Sequence, residues 1–224
     1  GGSLYRWNDV TGERAAIRPD GPEGVELRFA WNAGLALDPF APNALFYGSQ
    51  FVHLSRDMGH TWTTISPDLT TDEPRWQRQA ESGGLSRDVT AAENHCTILT
   101  IAPSELEQGL LWVGTDDGQL WRGTASGEWE PLHGKLEGVA LNTWIAHVEA
   151  SRHDAARAYV VLDGHRRGDR EPHLYRTNDG GATFQRLDLR GVIGHAHTLE
   201  EDPVDPDLLF LGTEAGLWLS QDGG

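Results

Sequence analysis

The sequence predicts an all-β fold assembled from repeated four-stranded antiparallel sheets. Three observations predict it. A strand–turn–strand–hairpin unit recurs along the chain. Glycine and tryptophan are abundant, at 27 and 9, whereas methionine and cysteine occur once each. No heptad pattern and no apolar run near the roughly 18 residues of a spanning helix is present. Short strands joined by glycine turns, with scattered aromatics, account for this composition.

The repeat is read first from its clearest copy. Leu45-Phe46-Tyr47-Gly48-Ser49 is an apolar strand ending in a small turn, and Val52-His53-Leu54-Ser55 follows as a second strand. Arg56-Asp57-Met58-Gly59-His60-Thr61-Trp62 then makes a polar hairpin closed by an aromatic. The same plan runs from Leu110 to Arg122, from Ala158 to Phe184 and from Leu208 to Gly224. Leu4-Tyr5-Arg6-Trp7-Asn8-Asp9 lines up with Leu174-Tyr175-Arg176-Thr177-Asn178-Asp179 as half a copy. The hairpin aspartates stand at 9, 57, 179 and 222, with Ala125 at the expected place in the second full copy. Apart from the long step between 57 and 125, the spacing approaches the roughly 40–50 residues of a four-stranded propeller blade. The expected fold is therefore a β-propeller segment of about four to five blades. Its parts are a partial blade over 4–18, blades over 29–66, 96–133 and 143–189, a partial blade over 195–224, and a long loop over 67–95. Both chain ends fall inside this repeat, so further blades of the same parent protein are expected partners.

Each hairpin has a local logic. The aspartate can accept backbone N–H bonds within its own turn, and Ser or Thr adds a hydroxyl. Glycine takes the left-handed position, and the closing aromatic packs under the turn. Ser55, Asp57, Gly59, Trp62, Thr177, Asp179, Gly181, Phe184, Ser220 and Asp222 are read as structural on this basis.

Ser55-x-Asp57-x-Gly59-x-Thr61-Trp62 resembles the Asp-box, or bacterial neuraminidase repeat, as does Thr177-x-Asp179-x-Gly181-x-Thr183-Phe184. The copy at Gly123 to Trp129 departs from it. Ile65-Ser66-Pro67-Asp68-Leu69-Thr70, Ala92-Glu93-Asn94-His95-Cys96-Thr97 and Val113-Gly114-Thr115-Asp116-Asp117-Gly118 are similar to bacterial sortilin-like propeller proteins, often labelled glycosyl hydrolase. The resemblance implies Asp-box hairpins in each blade, an extracytoplasmic location (secreted or periplasmic), and capture of protein, peptide or glycan. The cysteine-rich module of true sortilins has no counterpart here.

Composition narrows the partners. A formal charge of −16 argues against nucleic acid and anionic membranes, because phosphate binding needs clustered Lys and Arg. A single cysteine, Cys96, excludes an internal disulfide and a multi-thiolate zinc site, and its apolar run reads as a buried strand. No EF-hand loop occurs, and no cofactor is implied.

Strand parity puts the Asp hairpins on one face of the disc. The turns between second and third strands, and the links between blades, lie on the other. Function concentrates in loops on a rigid scaffold, so the candidates are sought there. Glu93, Asp116, Asp163 and Glu214 are the candidate acids, and Asp163 with His165 is a candidate acid–orienter pair. Trp76, Asn94, His95, Asp117, His165 and Arg166 are candidate ligand-binding residues. Asp116-Asp117-Gly118 is also ordinary turn chemistry. His195 and His197 alternate on an inner strand, and without a third ligand in sequence they read as a channel-lining pair with water, so no metal is expected. Two functions follow. One is a non-enzymatic binding propeller using this loop face. The alternative is a glycoside hydrolase, which needs two carboxylates about 5–5.5 or 6.5–9.5 Å apart. A sialidase fits less well, since Arg166, Arg167 and Arg170 share one hairpin and only Arg87 lies in another loop of that face. Xyloglucan-cleaving propellers also contain Asp-boxes, but the sequence alone does not match their catalytic aspartates to positions here.

Overall fold

The computed structural model describes residues 2–77 and 94–224. Five antiparallel sheets follow one another along the chain. A hairpin of β1 (Tyr5–Trp7) and β2 (Arg14–Ala16) comes first. The first four-stranded sheet holds β3 (Leu35–Leu37), β4 (Leu45–Gly48), β5 (Val52–Ser55) and β6 (Thr63–Thr64) in sequence order. The second holds β7 (Ile98–Pro103), β8 (Leu110–Thr115), β9 (Leu120–Thr124) and β10 (Trp129–Pro131). The third holds β11 (Trp144–Ala150), β12 (Ala158–Asp163), β13 (His173–Thr177) and β14 (Gln185–Arg186). The last has three strands, β15 (Ala196–Glu201), β16 (Leu209–Thr213) and β17 (Gly216–Ser220). Two single 3-10 turns, Pro74–Trp76 and His165–Arg167, are the helical content of the described residues, and neither is long and apolar enough to cross a membrane. These meandering sheets are the blades that the repeat predicts.

The blades stack face to face, which explains their unbroken apolar second strands. Along β8, Leu111 and Val113 pack back on Phe46, Val52 and Ile98 of the preceding interface. Trp112 turns forward on Ile145, Val148 and Val160. Along β12, Val160 and Leu162 face back while Tyr159 and Val161 face forward on Leu199 and Leu211. A strand buried on both faces needs no polar alternation. Where inner strands converge there is no room for a side chain. A Cβ on Gly114 would lie 2.4 Å from Ile145 Cγ2 and 2.8 Å from Thr100 Cγ2.

The polar hairpins are fastened from within. Thr61 donates its N–H and Oγ1–H to the two oxygens of Asp57 at 2.8 and 2.7 Å, and Ser55 Oγ both donates to Asp57 and accepts from Gly59 N–H. Thr177, Asp179, Gly181 and Thr183 repeat this pattern bond for bond. Ser220 Oγ donates to Asp222 and accepts from Gly224 N–H in the last copy. Gly181 is left-handed at φ 88°, and a Cβ there would strike Leu132 at 2.6 Å, so the hairpin seats against the preceding blade. Trp62 Nε1 donates to Ile17 O, and Trp129 Nε1 donates to Ile65 O, each reaching back to the residue that follows the previous blade's last strand. Arginines reach the other way. Arg6 donates to Met58 O and Arg176 to Gly223 O, in each case the same carbonyl of the following blade's hairpin.

Two sequence expectations need correction. Pairing of Leu110 with Thr124 and of Leu45 with Ser55 puts Thr124 in the Ser/Thr position of the second copy. Ser126, not Ala125, therefore replaces the aspartate, and a 2.7 Å hydroxyl–hydroxyl bond stands in for the carboxylate. In the N-terminal half copy the turn acceptor is Asn8, whose Oδ1 takes Val10 and Thr11 N–H, rather than Asp9.

Candidate functional site

The turns between second and third strands and the inter-blade links meet on one face, opposite the hairpins. The hydrogen bonds between them hold this face together. Gln50 Nε2 donates to Glu26 O, Thr71 N and Oγ1 donate to Asp117 Oδ2, and Arg167 Nη1 donates to Leu141 O. Thr213 Oγ1 donates to Ile193 O.

Asp116 and Asp117 serve this fastening. Asp116, 1% exposed, accepts Thr97 N–H and Oγ1–H on its two oxygens. Asp117, fully buried, accepts from Thr71 on one oxygen and Thr115 Oγ1 on the other. Burial, followed by the neighbouring Asp117 charge, drives the Asp116 carboxyl well above the ordinary carboxylate range. That shift reflects confinement, because no oxygen of either group is open to a substrate. His95 is buried, and its Nδ1 accepts Cys96 N–H at 2.9 Å. An accepting nitrogen carries no proton, so the 3.8 Å approach of Nδ1 to Asp116 is not an ion pair. Burial lowers the His95 pKa, Arg167 and Arg166 add to this, and Asp117 opposes it. Cys96 takes the left-handed conformation at φ 60°, and burial pushes its thiol up to about 12, which leaves it an inert core group.

Asp163 is placed differently. It occupies in the third sheet the position that Asp116 holds in the second and Glu214 in the last. In those two, the acid's N–H donates to Thr97 O and His195 O respectively. Across the sheet Asp116 finds the Thr97 hydroxyl, whereas Asp163 faces Trp144. Trp144 offers it no hydroxyl, so the carboxylate is left to His165 and to the next blade. Asp163 Oδ1 accepts His165 N–H at 2.9 Å and lies 2.7 Å from His165 Nδ1, while Oδ2 lies 3.5 Å from His197 Nδ1 on the next blade. Asp163 and His165, expected as neighbours on this face, are thus in direct contact. His165 stacks on His195 at 4.6 Å and 23°, and His195 meets His197 edge-on at 4.6 Å.

The expected pairing of His195 and His197 as a simple alternating couple needs correction. The register of β15 on β16 slips between Ala196 and Thr198, so His197 is a bulge residue. A bulge re-aims its side chain. The equivalent slips in β7 and β11 fall at Leu99 and Ala146. The third metal-capable side chain that the sequence lacked nearby is Asp163, from another sheet. Asp163, His195 and His197 each offer a ligand atom within 4.8 Å of the others.

The remaining candidates form a strip leading to this cluster. Trp76, half-buried, meets His95 edge-on at 5.6 Å, and His95 meets Trp144 at 6.2 Å. Arg166 covers the Trp144 ring at 4.3 Å, and Arg75 covers Trp76 at 5.3 Å. Asn94 is half-buried beside a groove it shares with Arg28, Gln77 and His95. Glu214 is exposed, with Oε1 3.3 Å from His195 Nδ1. Glu93, Arg87 and Asp88 lie outside the described residues. Two participants escaped sequence reasoning. Trp144 begins an inner strand and reads there as core. Arg28 ties the long loop down, donating to Asp68 and to Cys96 O and lying 3.1 Å from Asp72; an isolated arginine in a link carries no sequence signal.

No protein-family profile matches the sequence, and no curated protein matches it. Solved structures do match in fold. A GH74 xyloglucanase from Xanthomonas campestris aligns with a TM-score of 0.58 at 17% identity, over 99% of this chain and 30% of its own. An ancestral GH74 enzyme aligns at 0.59 and 15%, over 90% and 25%. A chain of the COPII outer coat vertex on membranes aligns at 0.59 and 11%, over 97% and 52%. This chain therefore spans between a quarter and about half the length of those structures. At such identities the likeness is one of fold, and the fold it shows is a propeller-type repeat.

Proposed function

We propose that this chain is a non-enzymatic binding propeller of the Asp-box kind, and that its loop face takes an acidic polypeptide segment. One observation carries the reading: each tryptophan of the loop-face strip already bears a guanidinium on its ring, Arg166 on Trp144 and Arg75 on Trp76. A sugar would stack on a bare ring face, whereas an indole topped by an arginine presents a cation held in place. Carboxylates complement this local row of cations, although the chain as a whole carries a charge of −16, and planar guanidinium groups bind them in a fixed fork. Two of the acids open to a glycosidase reading, Asp116 and Asp117, have their oxygens filled by loop hydrogen bonds. The COPII coat structure, an assembly on membranes, supports protein partners for such a scaffold.

The test is calorimetric titration of the full chain with Glu/Asp-rich peptides, neutral peptides and xyloglucan oligosaccharides. Binding of the acidic peptides alone is expected, weakening with added salt. Trp144→Ala is expected to weaken it by at least about 30-fold, the size of an interface hot spot. Hydrolysis of the oligosaccharide, abolished by Asp163→Asn, would replace this reading with the glycoside hydrolase.

A further inference from the structure

We propose that Asp163, His195 and His197 form a binding site for a late first-row divalent cation of the zinc class, lying between the third and last blades. This assignment does not rest on the polypeptide reading. Three observations carry it.

The first is the donor set. Two imidazoles and one carboxylate, each with an atom within 4.8 Å of the others, suit zinc and its neighbours rather than calcium or magnesium. Those hard cations call for six or more oxygens. Ligand atoms around a tetrahedral zinc stand about 3.3–3.5 Å apart. Asp163 Oδ2 and His197 Nδ1 are already separated by 3.5 Å. His197 is 47% exposed, so its ring can turn to close the rest.

The second is an unmet bond. The His195 side chain is 8% exposed, yet its Nδ1 makes no hydrogen bond. A buried polar atom without a partner is costly, and a cation on Nε2 would strengthen the missing donation from Nδ1–H toward Glu214. Glu214 Oε1 stands 3.3 Å from Nδ1. With that carboxylate receiving the Nδ1 proton, Nε2 is left to ligate, as in carboxylate–histidine–metal arrangements.

The third is the division of labour on Asp163. Its Oδ1 is held by His165 through both backbone N–H and ring, which leaves Oδ2 toward His197. The corresponding Asp116 keeps neither oxygen open. The freedom of Asp163 Oδ2 follows from Trp144 standing opposite it where Thr97 stands opposite Asp116. The projection of His197 follows from the bulge in β15, where the other blades carry Leu99 and Ala146. Three protein ligands at a surface junction leave one coordination position for water or for a ligand carboxylate.

The experiment is calorimetric titration of the full chain with zinc chloride, and in parallel with magnesium and calcium chloride. One zinc per chain is expected, with no binding of the other two. His197→Ala, at an exposed position, is expected to weaken zinc binding by more than about 100-fold, and Glu214→Gln by about 10-fold. His60→Ala, on the opposite face, should change nothing. Absence of a single zinc site in the wild-type chain, or equal affinity in His197→Ala, would overturn the assignment.

Discussion

Replacing Trp112 with alanine is expected to lower the unfolding free energy by about 3–5 kcal/mol. The ring is fully buried on β8 and is the largest side chain in the interface between the second and third blades. Its neighbours Ile145, Val148 and Val160 sit on two different strands of the facing blade, so they cannot close the space without shifting a sheet. Each blade is its own hydrogen-bonded sheet, with fewer hydrogen bonds running between sheets. Apolar contact between them is therefore much of what joins one to the next. Trp112→Phe should cost far less, since the indole N–H of Trp112 has no partner to lose. Urea unfolding followed by intrinsic fluorescence checks both. A loss under about 1 kcal/mol for the alanine variant would mean that this interface contributes little to holding the blades together.

Glu201→Ala is expected to cost a similar amount, about 3–5 kcal/mol, through a different mechanism. Glu201 is fully buried on β15, where its carboxylate accepts Ser151 Oγ, Arg152 N–H and the Tyr159 hydroxyl, with Arg157 at 3.7 Å. These partners all belong to the third blade, so the carboxylate is a polar staple across the last interface. Its removal strands Arg152 N–H and the buried hydroxyls of Ser151 and Tyr159. Glu201→Gln keeps one carbonyl oxygen as acceptor and should recover part of the loss. Equal stability of wild type and Glu201→Ala in the same unfolding assay would contradict this account.

How much of this was legible in the sequence depended on distance along the chain. The hairpins of Asp57 and Asp179 are closed within seven residues, Ser55 to Thr61 and Thr177 to Thr183, so a local pattern encodes them fully. Blade order followed from the spacing of those hairpins. The register of the degenerate copy did not, because the hairpin from Thr124 to Trp129 is two residues shorter than that from Ser55 to Trp62, and only strand pairing shows that Ser126 takes the aspartate's place. The cluster around Asp163 was legible only in pieces. Its carboxylate comes from one blade and its two imidazoles from the next. What frees the carboxylate is a neighbour, Trp144, that cannot bond it. A bulge such as the one at His197 leaves no mark in residue alternation. Arg28 and the long loop it anchors depend on contacts across 40 or more positions, beyond the reach of any local pattern.

The central claim is that the hairpin aspartates are fasteners and that the chemistry lies on the opposite face. The Thr61 backbone and side-chain bonds hold the Asp57 carboxyl at about 2, and the Thr183 side-chain and backbone bonds do the same for Asp179. A carboxyl whose pKa is depressed by folding stabilises the fold above its unfolded value of 3.8, and that contribution is lost as pH falls toward about 2. The direct measurement is a carbon-13 NMR titration of the aspartate carboxyls while the fold persists. Midpoints near 2 for both Asp57 and Asp179 are the predicted result. Midpoints at or above 3.8 would show carboxylates free of their hairpins and would contradict the account.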